Sequence, residues 1–194
     1  MDPHGLDREA VAFLPPHKVR ARRTRRRRIT EAVAEFGPGR VVYATKAFLC
    51  RRMAKLVHEE GLMLDVASGG ELHTVLAAGV PASSCVLHGN NKSTAELTYA
   101  LERGVGRIVV DSVDELDRLR RLAGFGYGRP RVLLRVTPGV EAHTHEFIET
   151  GTEESKFGFT VSDGIALAAA VRVATSPRLT LGGLHCHIGS QIWL

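Results

Sequence analysis

Short apolar runs rich in β-branched residues recur along the chain at 41–45, 62–66, 85–88, 107–111, 131–136 and 181–187. Each is too short for a helix and reads as a buried strand. Helical apolar spacing follows most of them, at 51–60, 69–79, 93–103, 112–122 and 162–174. The first four intervals between strand starts are 21, 23, 22 and 24 residues. That is a βα unit repeated, the signature of a parallel sheet. The fifth interval is 50 residues and holds a long connection, Thr137 to Thr160, punctuated by Pro138, Gly139, Gly151 and Gly158. Long connections in compact domains are usually functional or disordered. The pattern predicts an α/β fold, an incomplete (β/α)8 TIM-type barrel of about six βα units, since a closed barrel takes about 250 residues.

Three helix starts carry one signal: Ser68-Gly69-Gly70-Glu71, Ser93-Thr94-Ala95-Glu96 and Ser112-Val113-Asp114-Glu115. Each fits a capping box, the serine taking the third amide and the glutamate reaching back. The polar residues before these helices therefore sit at the carboxyl ends of the strands, the rim where α/β folds bind ligands.

Composition adds class and compartment. With 194 residues, 44% hydrophobic and 24% charged, the chain can build a globular core. No apolar run reaches membrane-spanning length, and Met1 to Ala10 lack the apolar centre of a signal peptide. Cys50, Cys85 and Cys186 are widely separated, which predicts reduced thiols in a cytoplasmic protein. The net charge of +5 comes from residues 1–40, which hold 10 Lys+Arg and 5 Asp+Glu; the remainder holds 16 of each. Residues 1–35 thus read as a basic, poorly ordered leader, with a helix closing over Ile29–Phe36 before Gly37-Pro38-Gly39. Arg20, Arg22, Arg23 and Arg25 to Arg28 would suit an anionic surface. Without interleaved aromatics or a nucleic-acid module, they read instead as a solvated basic face.

The candidate chemistry begins at Val41-Val42-Tyr43-Ala44-Thr45-Lys46-Ala47. A lysine ending a buried strand is costly as an unpaired ammonium, and the same setting frees a neutral amine for Schiff-base chemistry. The plain reading is a lysine snorkelling at a strand end. The same rim gathers Asp65 to Gly70, His88-Gly89-Asn90-Asn91-Lys92, Asp111-Ser112, Arg135 and His185-Cys186-His187-Ile188-Gly189-Ser190-Gln191. The long connection adds His143, His145 and Ser155-Lys156-Phe157-Gly158. An amine, cations, imidazoles and glycine or hydroxyl turns suit a phosphate-bearing aldehyde cofactor. A zinc hydrolase competes, because His185 and His187 alternate on one strand face, but no carboxylate clearly completes the site. Plain readings hold elsewhere: Cys186 as barrel wall, Asp111 as a helix-start residue, Asn90 and Asn91 as turn formers, Asp65 as a local acceptor.

Tyr43-Ala44-Thr45-Lys46-Ala47, Asp65 to Leu72, His88 to Ser93 and His185 to Gln191 together resemble the diaminopimelate decarboxylases. These belong to the pyridoxal-phosphate decarboxylases with an alanine-racemase-like barrel. Thr144 to Gly151 followed by Glu154 to Gly158 is similar to the diaminopimelate rather than the ornithine branch. The resemblance runs over about residues 36–192, making 36–194 a partial cofactor-binding barrel. It implies pyridoxal 5'-phosphate as cofactor, joined to Lys46 and stacked by His187. Gly189 and Ser190 would lie near the phosphate, and Asp65, His88, Arg135 and Lys156 would line the pocket. The implied reaction converts meso-diaminopimelate to lysine, in a homodimeric full-length enzyme.

The departures shape a further expectation. Residues 1–35 do not match the family's opening strand and helix. Its glycine-rich phosphate loop, the glutamate at the pyridine nitrogen and the carboxyl-terminal β-domain fall outside the 194 residues. The chain is therefore expected to be an amino-terminal portion, inactive or nearly so alone. The alternatives are a decarboxylase of another basic amino acid, a noncatalytic pyridoxal-phosphate-binding barrel, and the zinc-dependent hydrolase.

Overall fold

The computed structural model describes residues 16–139 and 157–187. Its strands are β1 (Val42–Ala44), β2 (Met63–Val66), β3 (Cys85–Leu87), β4 (Arg107–Val110), β5 (Arg131–Thr137), β6 (Phe159–Thr160) and β7 (Thr180–His185). Its helices are α1 (Pro16–Phe36), α2 (Arg51–Glu59), α3 (Gly69–Leu76), α4 (Thr94–Arg103), α5 (Val113–Ala123) and α6 (Ile165–Ala174). Strands β1 to β5 pair in chain order and β7 joins β5, every pairing being parallel. The two-residue β6 adds to the end of β5, opposite Val136 and Thr137. It falls within the connection read as irregular, and two residues are too few to show alternation. The result is part of a parallel α/β barrel, as expected.

Alternation along each strand sorts the side chains into two layers. Leu64, Val66, Leu87, Ile108, Val110 and Leu134 meet Val57, Leu72, Leu97, Leu116 and Leu119 of the helices in the main core. Each such side chain contributes roughly 1.5–3 kcal/mol by burial. Met63, Val86 and Val109, with Leu133 against them, form a second apolar cluster on the other face of the sheet.

Two expectations change. Strand β1 was expected to be buried, yet Val42 is 42% exposed and the rest of the strand only half-buried. Among the described residues its one strand partner is β2, so it lies at the sheet edge. The helix expected over Ile29–Phe36 starts instead at Pro16. Proline suits a first turn and arginine is a good helix former, so the basic run extends the helix without apolar periodicity to announce it. Ile29 and Val33 pack on the main core, and Arg26 pairs with Glu60. Gly37, at φ +89°, ends the helix with its amide on the Val33 carbonyl at 2.8 Å.

Lys92 was counted among the rim cations, but the structure buries it to 3% exposure. Its Nζ donates to Glu115 Oε1 at 2.6 Å, to the Val109 carbonyl at 2.7 Å and to the Gly89 carbonyl. Burial pushes the Lys92 ammonium down and the Glu115 carboxyl up, against their mutual attraction. Removing one partner strands the other charge in the core. Lys92→Met should therefore cost about 3–5 kcal/mol of stability. The paired change Lys92→Met with Glu115→Leu should recover most of that loss. Urea unfolding of both variants checks this; equal losses would contradict the ion-pair account.

Candidate active site

The rim is built by the same alternation. Asp65, His88, Asp111 and Arg135 each follow by two positions Met63, Val86, Val109 and Leu133 of the second apolar cluster. Side chains two apart share a face, so these polar groups stand one layer above that cluster. Register places Arg135 of β5 beside His185 of β7.

The groups form contacts rather than a scatter. His88 Nδ1 meets Asp65 Oδ1. The His88 and His185 rings stand edge to face, with centroids 4.6 Å apart. Arg135 Nη1 donates to Asp111 Oδ1 at 3.2 Å, and its guanidinium lies over the Phe157 ring at 4.4 Å. The Gly158 amide donates to Asp111 Oδ2 at 3.2 Å. Gly158 sits at φ +78°, and a Cβ there would come within 2.8 Å of the Arg135 carbonyl oxygen, so only glycine lets this segment close on β5. Asp111, read from sequence as a helix-start residue, thus ties the end of β4 to Arg135 of β5 and to Gly158 just before β6. Its position two residues beyond inward-facing Val109 was the signal available.

Lys46 lies in the 3-10 turn Thr45–Ala47 after β1 and is exposed, not in the apolar setting expected, because β1 is an edge strand. Its neighbour Thr45 is buried and donates to the Asp65 carbonyl at 2.7 Å and to Glu71 Oε2 at 3.0 Å. That ties the lysine turn to β2 and α3. His187 is half-buried. Burial, then the charges of Arg135, Lys46 and His88, hold its imidazole below the usual range. In the sheet β4 and β5 lie between β3 and β7, yet the His88 and His185 rings that follow β3 and end β7 stand 4.6 Å apart. The sheet therefore curls to bring these strand ends to one mouth.

His185 is pushed down to about 4, first by burial and then by His88, Arg135 and His187. His88 Nε2 and His185 Nδ1 are buried with no hydrogen-bond partner among the described residues. Cys186, expected as barrel wall, is exposed, since β7 pairs only with β5 among the described strands. Lys156, Gly189, Ser190, His143 and His145 lie outside the described residues. Among the described residues no group of three or more His, Cys, Asp or Glu could hold a metal ion, so the zinc reading gains no support.

The three serine caps form, each accepting the predicted amide at 3.2 Å. The glutamate arm closes its own box only at Ser93, where Glu96 takes the backbone amide. Glu71 and Glu115 instead take the amides of Ala67 and Asp111, one residue earlier. Glu96 also accepts from the Gly69 amide at 2.9 Å, joining neighbouring strand-end loops.

An amine, an arginine, a carboxylate-bound imidazole and two further imidazoles at the carboxyl rim of a curled parallel sheet define an α/β-barrel class of small-molecule site. No helix among the described residues is long and apolar enough to cross a membrane. The chain belongs to the pyridoxal-dependent decarboxylase family, whose pyridoxal binding domain matches residues 22–193. That match starts inside α1, earlier than the motif resemblance. Over 169 residues the chain is 54% identical to the diaminopimelate decarboxylase of Mycobacterium tuberculosis, covering 87% of this chain and 38% of that protein. It is 53% identical over 153 residues to that of Bacillus subtilis, covering 79% and 35%. Among solved structures, diaminopimelate decarboxylase from M. jannaschii in complex with L-lysine aligns with TM-score 0.70 at 35% identity, over 78% of this chain and 35% of that one. The Helicobacter pylori enzyme complexed with L-lysine aligns with TM-score 0.77 at 28% identity, over 87% and 44%. The chain therefore spans little more than a third of the curated relatives it matches.

The half-buried His185 makes a pH prediction. Its folded value of about 4 lies below the ordinary 6.5, so between those values the unfolded chain binds a proton the folded chain refuses. This contribution is intact above about pH 6.5 and is lost as pH falls toward about 4. The urea midpoint should fall across that window, and His185→Gln should flatten the fall. An unaltered slope in the variant would show that His185 is not held neutral.

Proposed function

We propose that this chain is the cofactor-binding portion of a pyridoxal-phosphate-dependent diaminopimelate decarboxylase, which releases carbon dioxide from meso-diaminopimelate to leave lysine. The observation that carries the reading is the meeting of Asp65, His88 and His185 at one mouth, with the Lys46 turn held to Asp65 through the Thr45 hydroxyl at 2.7 Å. The residues fit the cofactor. Lys46 is an exposed primary amine able to bond an aldehyde, and His88 Nε2 and His185 Nδ1 are buried polar atoms awaiting a polar ligand. Sequence identity to named decarboxylases supports the substrate.

Lys46 would hold the cofactor covalently and His187 would lie against its ring. Asp65, His88, Arg135 and Lys156 would surround it, with Gly189 and Ser190 toward its phosphate. When bound, pyridoxal phosphate supplies an electron sink for the pair left by the departing carboxylate. The protein's part is to bind and orient. Arg135 is fixed by Asp111 on one side and Phe157 on the other, so its charge stays beside the imidazoles. The inner apolar cluster below the rim shuts water out from beneath. A small amino-acid substrate, a homodimeric complete enzyme and a cytoplasmic setting complete the proposal.

Borohydride reduction of the protein with pyridoxal phosphate should fix one cofactor on the peptide carrying Lys46, read by mass spectrometry. Lys46→Ala should abolish that label, and His187→Ala should weaken cofactor binding about fivefold, the worth of one aromatic stack. The complete protein should then release carbon dioxide and lysine from meso-diaminopimelate. Labelling at other lysines with Lys46 untouched would sink the proposal, and preferential turnover of ornithine would overturn the substrate.

A further inference from the structure

Resting on the pyridoxal-phosphate reading, we propose that Asp65 and His88 form a carboxylate–imidazole dyad whose Nε2 accepts the proton from amines that exchange at Lys46. The dyad is built into the sheet. Asp65 belongs to β2, and the His88 amide donates to the Val66 carbonyl at 2.8 Å, so both residues are set by strand geometry. The following turn is pinned by buried Lys92, which donates to the Gly89 carbonyl. A carboxylate only accepts, so the hydrogen at the Asp65 contact belongs to His88 Nδ1. In the neutral ring that leaves the lone pair on Nε2. This atom is buried and unpartnered, so a donor hydrogen is what it lacks.

The surroundings suit a base. His185 stands edge-on at 4.6 Å, also with an unpartnered buried nitrogen. Ala44 pairs in register with Asp65 and the Thr45 hydroxyl donates to the Asp65 carbonyl at 2.7 Å, so the Lys46 turn lies against the strand that carries the dyad's carboxylate. Asp65 is the carboxylate in direct contact with His88. Burial, ahead of the neighbouring charges, pushes the His185 imidazole down to about 4.

An incoming ammonium cannot attack while its nitrogen carries the extra proton. In the proposed step one N–H bond breaks and its electron pair stays on the amine nitrogen. The proton goes to His88 Nε2, and Asp65 stays hydrogen-bonded to Nδ1–H beside the imidazolium. The reverse transfer returns the proton to the amine that leaves.

The test follows the rate at which the complete protein captures pyridoxal phosphate in a borohydride-fixable form on Lys46. His88→Ala should slow capture about 100-fold, the lower range for acid–base catalysis. Imidazole in the buffer should restore at least a tenth of the rate. Asp65→Asn should also slow capture, without rescue by imidazole. Wild-type capture rates in His88→Ala, or a loss that imidazole leaves untouched, would overturn the dyad. If wild-type protein itself never labels Lys46, the broader reading fails instead. Should His88→Ala not fold, nitrogen-15 NMR of the wild-type histidines decides: Nε2 of His88 without hydrogen supports the dyad, and Nε2 carrying hydrogen overturns it.

Discussion

The constraint behind this structure is parallel register. Neighbouring strands in a parallel sheet place same-face residues in successive layers, and one slip would exchange the two faces of a strand. Here the register sets Asp65, His88, Asp111, Arg135 and His185 on the face that holds Met63, Val86 and Val109 lower down. The site is the top of an apolar layer where the residues change to charged and imidazole types. Its geometry depends on strand pairing before any particular side chain is chosen.

That arrangement is costly, because several ionisable groups sit close to an apolar interior. The chain meets the cost with ties between neighbouring strand-end turns. Glu71 reaches the Thr45 turn, Glu96 reaches Gly69, and Glu115 holds both Lys92 and the Asp111 amide. The helix-start glutamates therefore do more than cap their helices. They join each turn to the next across the ends of β1 to β4, which holds those turns in fixed places around one mouth. Asp111 extends the same principle to Arg135 and Gly158. Two buried nitrogens, on His88 and His185, stand outside this satisfied network, and they mark where a ligand would complete it.

Family membership and geometry support one another for different reasons. Matching residues 22–193 to the pyridoxal binding domain of a decarboxylase family says which chemistry such a rim serves. The contacts say how this rim is organised: an exposed amine at one sheet edge, imidazoles at the other, and curvature bringing them together. Neither the arginine clamp of Asp111 and Phe157 nor the pairing of His88 with Asp65 is contained in the family description.

The sequence by itself determined β1 to β5, β7 and the helices α2 to α6 in their order, because apolar period and serine caps are local properties of the chain. It also identified Lys46, Asp65, His88, Arg135 and His187 as rim residues, since strand ends can be counted from the same pattern. Only tertiary structure decided how those residues pair. Lys92 looked like a pocket cation, and packing turned it inward onto Glu115. Asp111 looked like a helix-start residue, and the return of Phe157-Gly158 onto β5 made it the partner of Arg135. Lys46 was placed at the end of a buried strand, and the edge position of that strand left the turn after it exposed. The arginine-rich helix was hidden because helix propensity without an apolar stripe leaves no periodic mark. These outcomes depend on long-range contacts between segments far apart in the chain, and a local pattern carries no record of which distant segment will arrive beside it.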